Sequence, residues 1–325
     1  MQTTILGRTG LRVTTAGLGC GGFSRIGMRS HGVEHAGGIV RAAYDAGVTF
    51  FDTASAYGTQ PAVGLGLRGL PRDSYTLSTK FTYFNEDGIF GEKQVLDLLE
   101  QSLRELETDY IDVYQFHALQ PEHYAQARDT IMAVLERAKK QGKIRFIGAT
   151  EQFVTDRDHQ MFKLALPDDL FDVIMTGYNI LNPSAAKTIL PAAVEKNLGV
   201  LCMFAVRQAL WDTEQLKRDI ARILASGQGG EGLNENSLDF LVEEGIAKTL
   251  PEAAYRFCVH TPGISVTLTG TGNHDHLQDN LRTLELPPLP DSALERLEQL
   301  FGNVDCVSGQ DAETVGGMRA SMNQR

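Results

Sequence analysis

The stretch GLGCGG, residues 17–22, decides between two folds. Its glycines fit G-x-G-x-x-G, the spacing of a phosphate-binding turn in a dinucleotide fold. That turn needs a strand before it, a helix opening directly on it, and an acidic residue about 20 positions further on. The helix is missing. FSRIGMRSHGVEH (23–35) carries Gly27 and Gly32 and no apolar period, so the first convincing helix starts near Val33 and runs through Ile39, Val40 and Ala43. The acidic residue is missing too, because Asp45 falls inside that helix and Asp52 comes too late. What remains is a first strand, TTAGLGC (14–20), followed by a glycine-rich loop.

Outward from that strand, β-rich runs alternate with helix-length amphipathic segments. The further strands are GVTFFD (47–52), YTLSTK (75–80), YIDVYQFH (110–117), IRFIGA (144–149), FDVIMTG (171–177), GVLCMF (199–204) and ISVTLTG (264–270). Between them, apolar residues recur at helical steps, as in Val95, Leu99, Leu103 and Leu106, while Asn182 and Pro183 read as an N-cap and first helical position. Eight β–α units spaced about 30 residues apart, without a Pro/Ser-rich linker, predict a single α/β domain over 1–325: a closed (β/α)₈ TIM barrel.

Three stretches fall outside the repeat. Residues 2–14 read as a β-hairpin turning at Thr9-Gly10 and capping the barrel bottom. Residues 205–262 form a long insertion after the seventh strand, with the Gly-rich loop ASGQGGEGLNEN at 225–236. Residues 283–325 read as a C-terminal helical extension, in which DSALERLEQLF (291–301) is expected to be a helix capped by Asp291 and SGQDAETVGGMRASMNQR a mobile tail. A long loop and a C-terminal segment near a barrel mouth are where such a scaffold sets specificity.

Composition bounds the partners. A net charge of −11 argues against nucleic acid or an anionic membrane surface, since both require a basic face. There is no run of 18 apolar residues, and MQTTILGRTG has no apolar signal core, so a soluble, cytoplasmic protein is expected. Cys20, Cys202, Cys258 and Cys306 are widely spaced, without a CxxC or a nearby histidine pair, and read as buried thiols rather than a disulfide frame or metal site. Oligomeric state is not legible.

In a barrel of this kind the chemistry sits at the C-terminal ends of the strands. The second strand ends at Asp52, the third at Lys80 and the fourth at His117, and Tyr57 lies in the loop after the second. Each polar end shares the inward parity of its strand: Val48 and Phe50 with Asp52, Thr76 and Ser78 with Lys80, Val113 and Gln115 with His117. One structural ion pair would not need the other two residues, so four ionisable groups at one rim point to a catalytic constellation.

These residues carry a resemblance. FFDTASAYG, LSTKF, YIDVYQFH and GKIRFIGAT, with GTGNHDHLQDNL (270–281) near the end, resemble the aldo-keto reductase superfamily over essentially the whole chain, and its Asp, Tyr, Lys, His tetrad matches Asp52, Tyr57, Lys80 and His117. The resemblance implies NADP(H) or NAD(H) extended across the barrel top, and hydride transfer to a small-molecule carbonyl or from an alcohol or sugar. Tyr57 would be the proton donor, and since tyrosine is a poor acid at neutral pH, Lys80 would stabilise its phenolate. Asp52 would keep Lys80 charged, His117 would position the substrate oxygen, and no metal is needed. Cys20 and Gly21 would lie near the nicotinamide, and Gly270, Thr271, Gly272 and Asn273 near the phosphates.

The chain departs from the family pattern around the cofactor. Thr150 and Glu151 stand where Ser-Asn is usual, Met175 stands where Gln is usual, and Met203 or Phe204 takes the place of the stacking aromatic; Phe204 can still stack. The 2′-phosphate of NADP calls for Arg or Lys, yet residues 270–280 offer only His274 and His276, with Asp275 and Asp279 adding negative charge. Asn280 can bond the adenine, Asn273 the ribose, and Arg207 can serve the pyrophosphate. Weak discrimination or a preference for NADH follows. Two other uses of the tetrad stay open: a regulatory dinucleotide-binding barrel with slow turnover, and an NAD-dependent sugar dehydrogenase.

Overall fold

A computed structural model describes residues 1–310. Its strands are β1 (Thr3–Ile5), β2 (Arg12–Thr14), β3 (Ala16–Gly19), β4 (Phe50–Asp52), β5 (Thr76–Phe81), β6 (Phe84–Asn85), β7 (Gly88–Ile89), β8 (Ile111–Leu119), β9 (Ile144–Glu151), β10 (Val173–Gly177), β11 (Gly199–Met203) and β12 (Val266–Thr269). The helices are α1 (Met28–Asp45), α2 (Gln60–Leu67), α3 (Glu92–Glu105), α4 (Tyr124–Lys140), α5 (Gln160–Ala165), α6 (Ala185–Thr188), α7 (Leu190–Glu195), α8 (Thr213–Ser226), α9 (Phe240–Glu243), α10 (Leu250–Val259), α11 (His274–Thr283) and α12 (Asp291–Phe301). Strands β3, β4, β5, β8, β9, β10, β11 and β12 are hydrogen-bonded in that order, and β12 returns to β3 to close the barrel. These are the eight strands expected from the sequence, each within a few residues of its expected bounds.

The glycines at 17–22 therefore belong to a barrel strand and its loop. Helix α1 breaks at Gly32, whose φ of 85° and ψ of −177° are non-helical, so the regular helix begins at Val33 and buries Ala36, Ile39, Val40 and Ala43. Below the barrel, β1 and β2 pair antiparallel. The turn between them sends Leu6 into the interior, where it packs in one cluster with Val13, Phe50, Val113, Val173, Leu201 and Val266. The bottom is closed by apolar packing, and the polar strand ends are left to the opposite mouth.

A second apolar cluster lies beside the barrel. Leu216, Ile220 and Ile223 of α8, Leu241 of α9, and Leu297 and Phe301 of α12 belong to it, so the long segment between β11 and β12 is packed onto the C-terminal extension. The Gly-rich loop takes part, with the Gly230 N–H donating to the Leu300 carbonyl at 2.9 Å. Asp291 does not cap α12: the N-cap position is Pro290, which makes no side-chain cap bond, and Asp291 is the first helical residue. There its carboxylate still suits the positive end of the helix dipole. Helix α6 begins at Ala185, but Asn182 does cap-like work, because its Oδ1 accepts from the Ser184 N–H at 3.2 Å and O–H at 2.6 Å.

After α12 the chain returns over the barrel mouth. Buried Asn179 and Asn182 donate from Nδ2 to the carbonyls of Ser308 (3.2 Å) and Val307 (2.8 Å), and Gly309 accepts from the Ala209 N–H at 3.0 Å. Gln310, the last described residue, lies on this strap beside the pocket described below. The expected mobile tail lies, from residue 311 on, outside the described residues. Cys20, Cys202 and Cys258 are buried free thiols; Cys306, on this strap, is only half-buried.

Candidate active site

Residues from three neighbouring strands meet at the mouth. Lys80 Nζ donates to Asp52 Oδ2 at 2.5 Å and to the Thr53 carbonyl at 2.7 Å. The other oxygen of Asp52 accepts from Ser78 Oγ at 2.9 Å, and Ser78 in turn accepts from Gln115 Nε2 at 2.8 Å. The inward parity of β5 and β8 thus builds one connected network. Burial alone would pull Lys80 down, but the charge of Asp52, aided by Tyr57 and the hydrogen bond, outweighs it and leaves Lys80 above its ordinary range. Lys80 is therefore protonated at neutral pH.

Tyr57 ends a short turn, Ser55–Tyr57, directly after β4. Its ring centre lies 5.0 Å from Lys80 Nζ and 5.2 Å from the His117 ring, which meets it edge-on at 85°. A methyl group on Gly21 would come within 2.6 Å of the Tyr57 ring. The glycine of the first loop thus makes room for the tyrosine. His117 owes its aim to an irregularity in β8, where the register to β9 shifts between Phe116 and Leu119 and Ala118 takes a φ of 56°. That bulge is pinned by the Ala118 N–H donating to Thr150 Oγ1 at 2.7 Å. Tyr57, Lys80, His117, Thr150, Met175 and Phe204 line one pocket.

The expected cofactor contacts divide into two groups. Thr150, Met175 and Phe204 face this pocket, and Met175 also tops the apolar barrel interior. Cys20 does not face it: its side chain is fully buried next to Asp52 and Lys80, and burial holds its thiol far above the usual range. Glu151 is spent elsewhere. Its side chain has no exposure, and its carboxylate accepts from His159 Nδ1 (2.9 Å), Thr176 Oγ1 (2.8 Å) and the Gly177 N–H (2.7 Å). The carboxylate is thus unavailable to a carboxamide, and in this pair of positions only Thr150 has a hydroxyl on the pocket.

At the other end, Gly270 and Gly272 let backbones approach closely: a side chain at either would strike Gly19 or Gly27. Asn273 caps α11, its Oδ1 accepting from the N–H groups of Asp275 (2.8 Å) and His276 (3.0 Å). Asn280 donates to Thr269 Oγ1 at 3.0 Å, and Thr271 accepts from the Asn273 N–H at 3.1 Å. His276 and Asp279 are exposed, and Arg282 is tied to Asp279 rather than turned inward. The cradle and the flat apolar pocket wall fit an extended dinucleotide.

Sequence reasoning missed the Glu151–His159 pair, Phe153 stacked on His159, and Arg25 over the Tyr57 ring. His159 is fully buried with its Nε2 on Ser184 Oγ at 3.0 Å. Burial pulls its pKa down, but Glu151 outweighs that and leaves it above the ordinary histidine value. The folded protein therefore holds this proton more tightly than the unfolded chain. The stabilisation is complete below about pH 6.5 and drains away as pH climbs through the folded value. Thermal melts from pH 6 upward are expected to fall by a few degrees, and Glu151→Gln should flatten that slope; an identical slope in the variant would remove His159 as its cause.

Comparison with known proteins agrees with this geometry. A profile of the Aldo/keto reductase family matches residues 18–301. The chain belongs to the aldo/keto reductase family. It is accordingly an oxidoreductase of the carbonyl–alcohol couple that uses NADP(H) or NAD(H) and acts on small molecules. Aldo-keto reductase YhdN of Bacillus subtilis is 27% identical over 298 residues, covering 86% of this chain and 87% of its own. L-galactose dehydrogenase of Arabidopsis thaliana is 30% identical over 213 residues, covering 62% of this chain and a little under two thirds (64%) of its own. L-glyceraldehyde 3-phosphate reductase of Escherichia coli K12 is 25% identical over 326 residues, covering 92% of each chain. Among solved structures, aldo-keto reductase AKR11C1 from Bacillus halodurans superposes with a TM-score of 0.72 at 24% identity, covering 94% of this aldo/keto reductase and 97% of its own chain. No helix among the described residues is long and apolar enough to cross a membrane.

Proposed function

We propose that this aldo/keto reductase works in the direction of carbonyl reduction, with Tyr57 as proton donor. The observation that carries the reading is the position of Tyr57, with its ring fitted against Gly21 and both the Lys80 ammonium and the His117 ring about 5 Å away. A bound nicotinamide cofactor supplies the hydride to carbon. The chain's own residues manage the proton and the oxygen. As the Tyr57 O–H proton moves to the substrate oxygen, negative charge develops on the phenol, and Lys80 is already there to stabilise it. Asp52, held by Ser78, fixes Lys80 in place. His117, aimed by the β8 bulge, holds the substrate oxygen within reach. Phe204, Met175 and Thr150 would receive the nicotinamide, and the Gly270–Asn273 cradle the phosphates.

Steady-state assays test this. Aldehyde-dependent NAD(P)H oxidation is expected. Sugar-dependent NAD reduction as the dominant activity would instead favour a dehydrogenase, and tight cofactor binding without turnover would favour a regulatory barrel. The names of two relatives, a sugar dehydrogenase and a triose-phosphate reductase, support a polar sugar-like or phosphorylated carbonyl as substrate. We also take residues 1–325 as one functional unit, because no Pro/Ser-rich linker interrupts its β–α repeat, and as lacking a nucleic-acid partner, because its net charge is −11.

Cofactor preference follows from the same region. The 2′-phosphate needs a cation at the adenosine end, and the segment Gly270–Asn280 has no Arg or Lys, while Arg282 is paired with Asp279. Comparable kcat/KM for the two cofactors, or a preference for NADH, is expected with one aldehyde. A preference for NADPH of about a hundredfold, or 2.7 kcal/mol, would reveal a phosphate-binding cation elsewhere.

A further inference from the structure

Two guanidinium groups lie on aromatic faces about the active site, Arg25 on Tyr57 and Arg207 on Phe204, and among the described residues neither has an anionic partner. Arg25, 5% exposed, has its Cζ 4.8 Å from the centre of the Tyr57 ring. The loop that delivers it passes through three successive left-handed residues, with φ of 52° at Arg25, 50° at Ile26 and 83° at Gly27. Such backbone is costly for side chains other than glycine and is kept where surrounding structure demands it. Arg207 lines the pocket of Tyr57, Lys80 and His117, and lies over Phe204 with Cζ 3.7 Å from the ring centre. Its Nε is buried without a hydrogen-bond partner. Among the described residues, neither guanidinium group has a hydrogen-bond or ion-pair partner, only aromatic faces.

The other charges around the pocket are matched. Lys80 pairs with Asp52, and His159 with Glu151. Among the described residues these two positive charges have no acidic partner, in a chain whose net charge is −11. Burial pulls both guanidinium groups below their ordinary range, and Tyr57 only partly opposes it. Keeping a cation desolvated without a partner is unfavourable unless an anion arrives to pair with it, and the planar fork of arginine suits carboxylate or phosphate.

We propose that Arg25 and Arg207 recognise an anionic group, a carboxylate or phosphate, carried by the carbonyl substrate itself. Arg25 rests on the ring of the residue that addresses the reacting carbonyl, and Arg207 shares that residue's pocket; because Ile26 and Gly27 pack on Gly272 of the glycine cradle, the cofactor's phosphates are the competing anion. The expectation that Arg207 serves the cofactor's pyrophosphate is the alternative that the test must separate.

The proposal rests on the carbonyl-reduction reading, and matched aldehydes test it: 4-carboxybenzaldehyde against benzaldehyde. In the unaltered protein kcat/KM should favour the acid by at least about tenfold. Arg25→Gln and Arg207→Gln should each lower that ratio by roughly 10- to 100-fold, chiefly through KM, and Arg25→Lys should recover part of it. An unchanged ratio in both variants overturns the proposal. So does a loss of NADPH affinity, read by fluorescence quenching, that accounts for the whole effect while the ratio stands. Calorimetry of benzoate and benzamide binding to the cofactor-loaded protein supplies a readout without turnover. Benzoate bound selectively and lost in both variants supports the arginine site even if no aldehyde is reduced, an outcome that would count against the carbonyl-reduction reading alone; benzoate bound no better than benzamide overturns the arginine site.

Discussion

Tyr57→Phe is expected to lower kcat for aldehyde reduction by about 10²–10⁴-fold while leaving NADPH or NADH affinity within a few-fold of its original value. The substitution removes one oxygen and keeps the ring, so the contacts with Gly21, His117 and Arg25 persist. What is lost is the proton donor alone. Single-turnover kinetics separate the chemical step from cofactor binding, and a variant that kept near-normal kcat would remove Tyr57 from the proton-donating role.

Lys80→Met should be comparably damaging, and in two measurements. Activity should fall because the ammonium that stabilises charge developing on Tyr57, 5.0 Å from the ring centre, is removed. Stability should fall as well, because Asp52 would be left buried with only Ser78 on it, and removing one partner of a buried ion pair costs about 3–5 kcal/mol. Asp52→Asn should act in the same direction more gently, since the amide oxygen can still accept from Lys80 although its NH2 cannot accept from Ser78. The sign with pH is set by Lys80, whose folded pKa lies above its ordinary value. Its stabilisation is complete below about pH 10.5 and is lost only as pH rises through the folded value, so melts of the unaltered protein at neutral pH carry the full term. An unchanged pH–rate profile and unchanged melting in both variants would return the pair to a purely passive part of the barrel.

The barrel was legible because parallel strands buried on both faces read as short continuous apolar runs, and because the polar residues that end them break those runs at one rim. Asp52, Lys80 and His117 are visible for that reason. Thr150, Met175 and Phe204 were reachable only through the family resemblance, as the positions where its cofactor contacts stand. The departures have a common physical origin: they depend on which groups meet across the fold. Glu151 sits on the expected strand end, but nothing in the order of residues says that His159, eight positions later, turns back in a left-handed conformation to take its carboxylate. Arg25 lies in a loop with no periodicity to read, and only the folded backbone brings it over Tyr57. Asn273 has the composition of a ligand-binding residue, and its oxygen is used by its own helix.

The clearance between Gly21 and Tyr57 has a consequence for how this protein can vary. Residue 21 lies about half-buried in the loop after the first barrel strand, and a side chain there would press on the Tyr57 ring of a segment that follows one full β–α unit later. Two positions distant in the gene are thereby locked together: a larger residue at 21 could be accommodated only by a smaller one at 57, and any smaller residue there lacks the phenol. A mutational scan would find Gly21 almost as intolerant as Tyr57 even though it offers no side chain to substrate or cofactor. A lineage of such barrels that had given up the proton-donating tyrosine would be free to lose this glycine as well, which makes position 21 a marker of whether the chemistry has been retained.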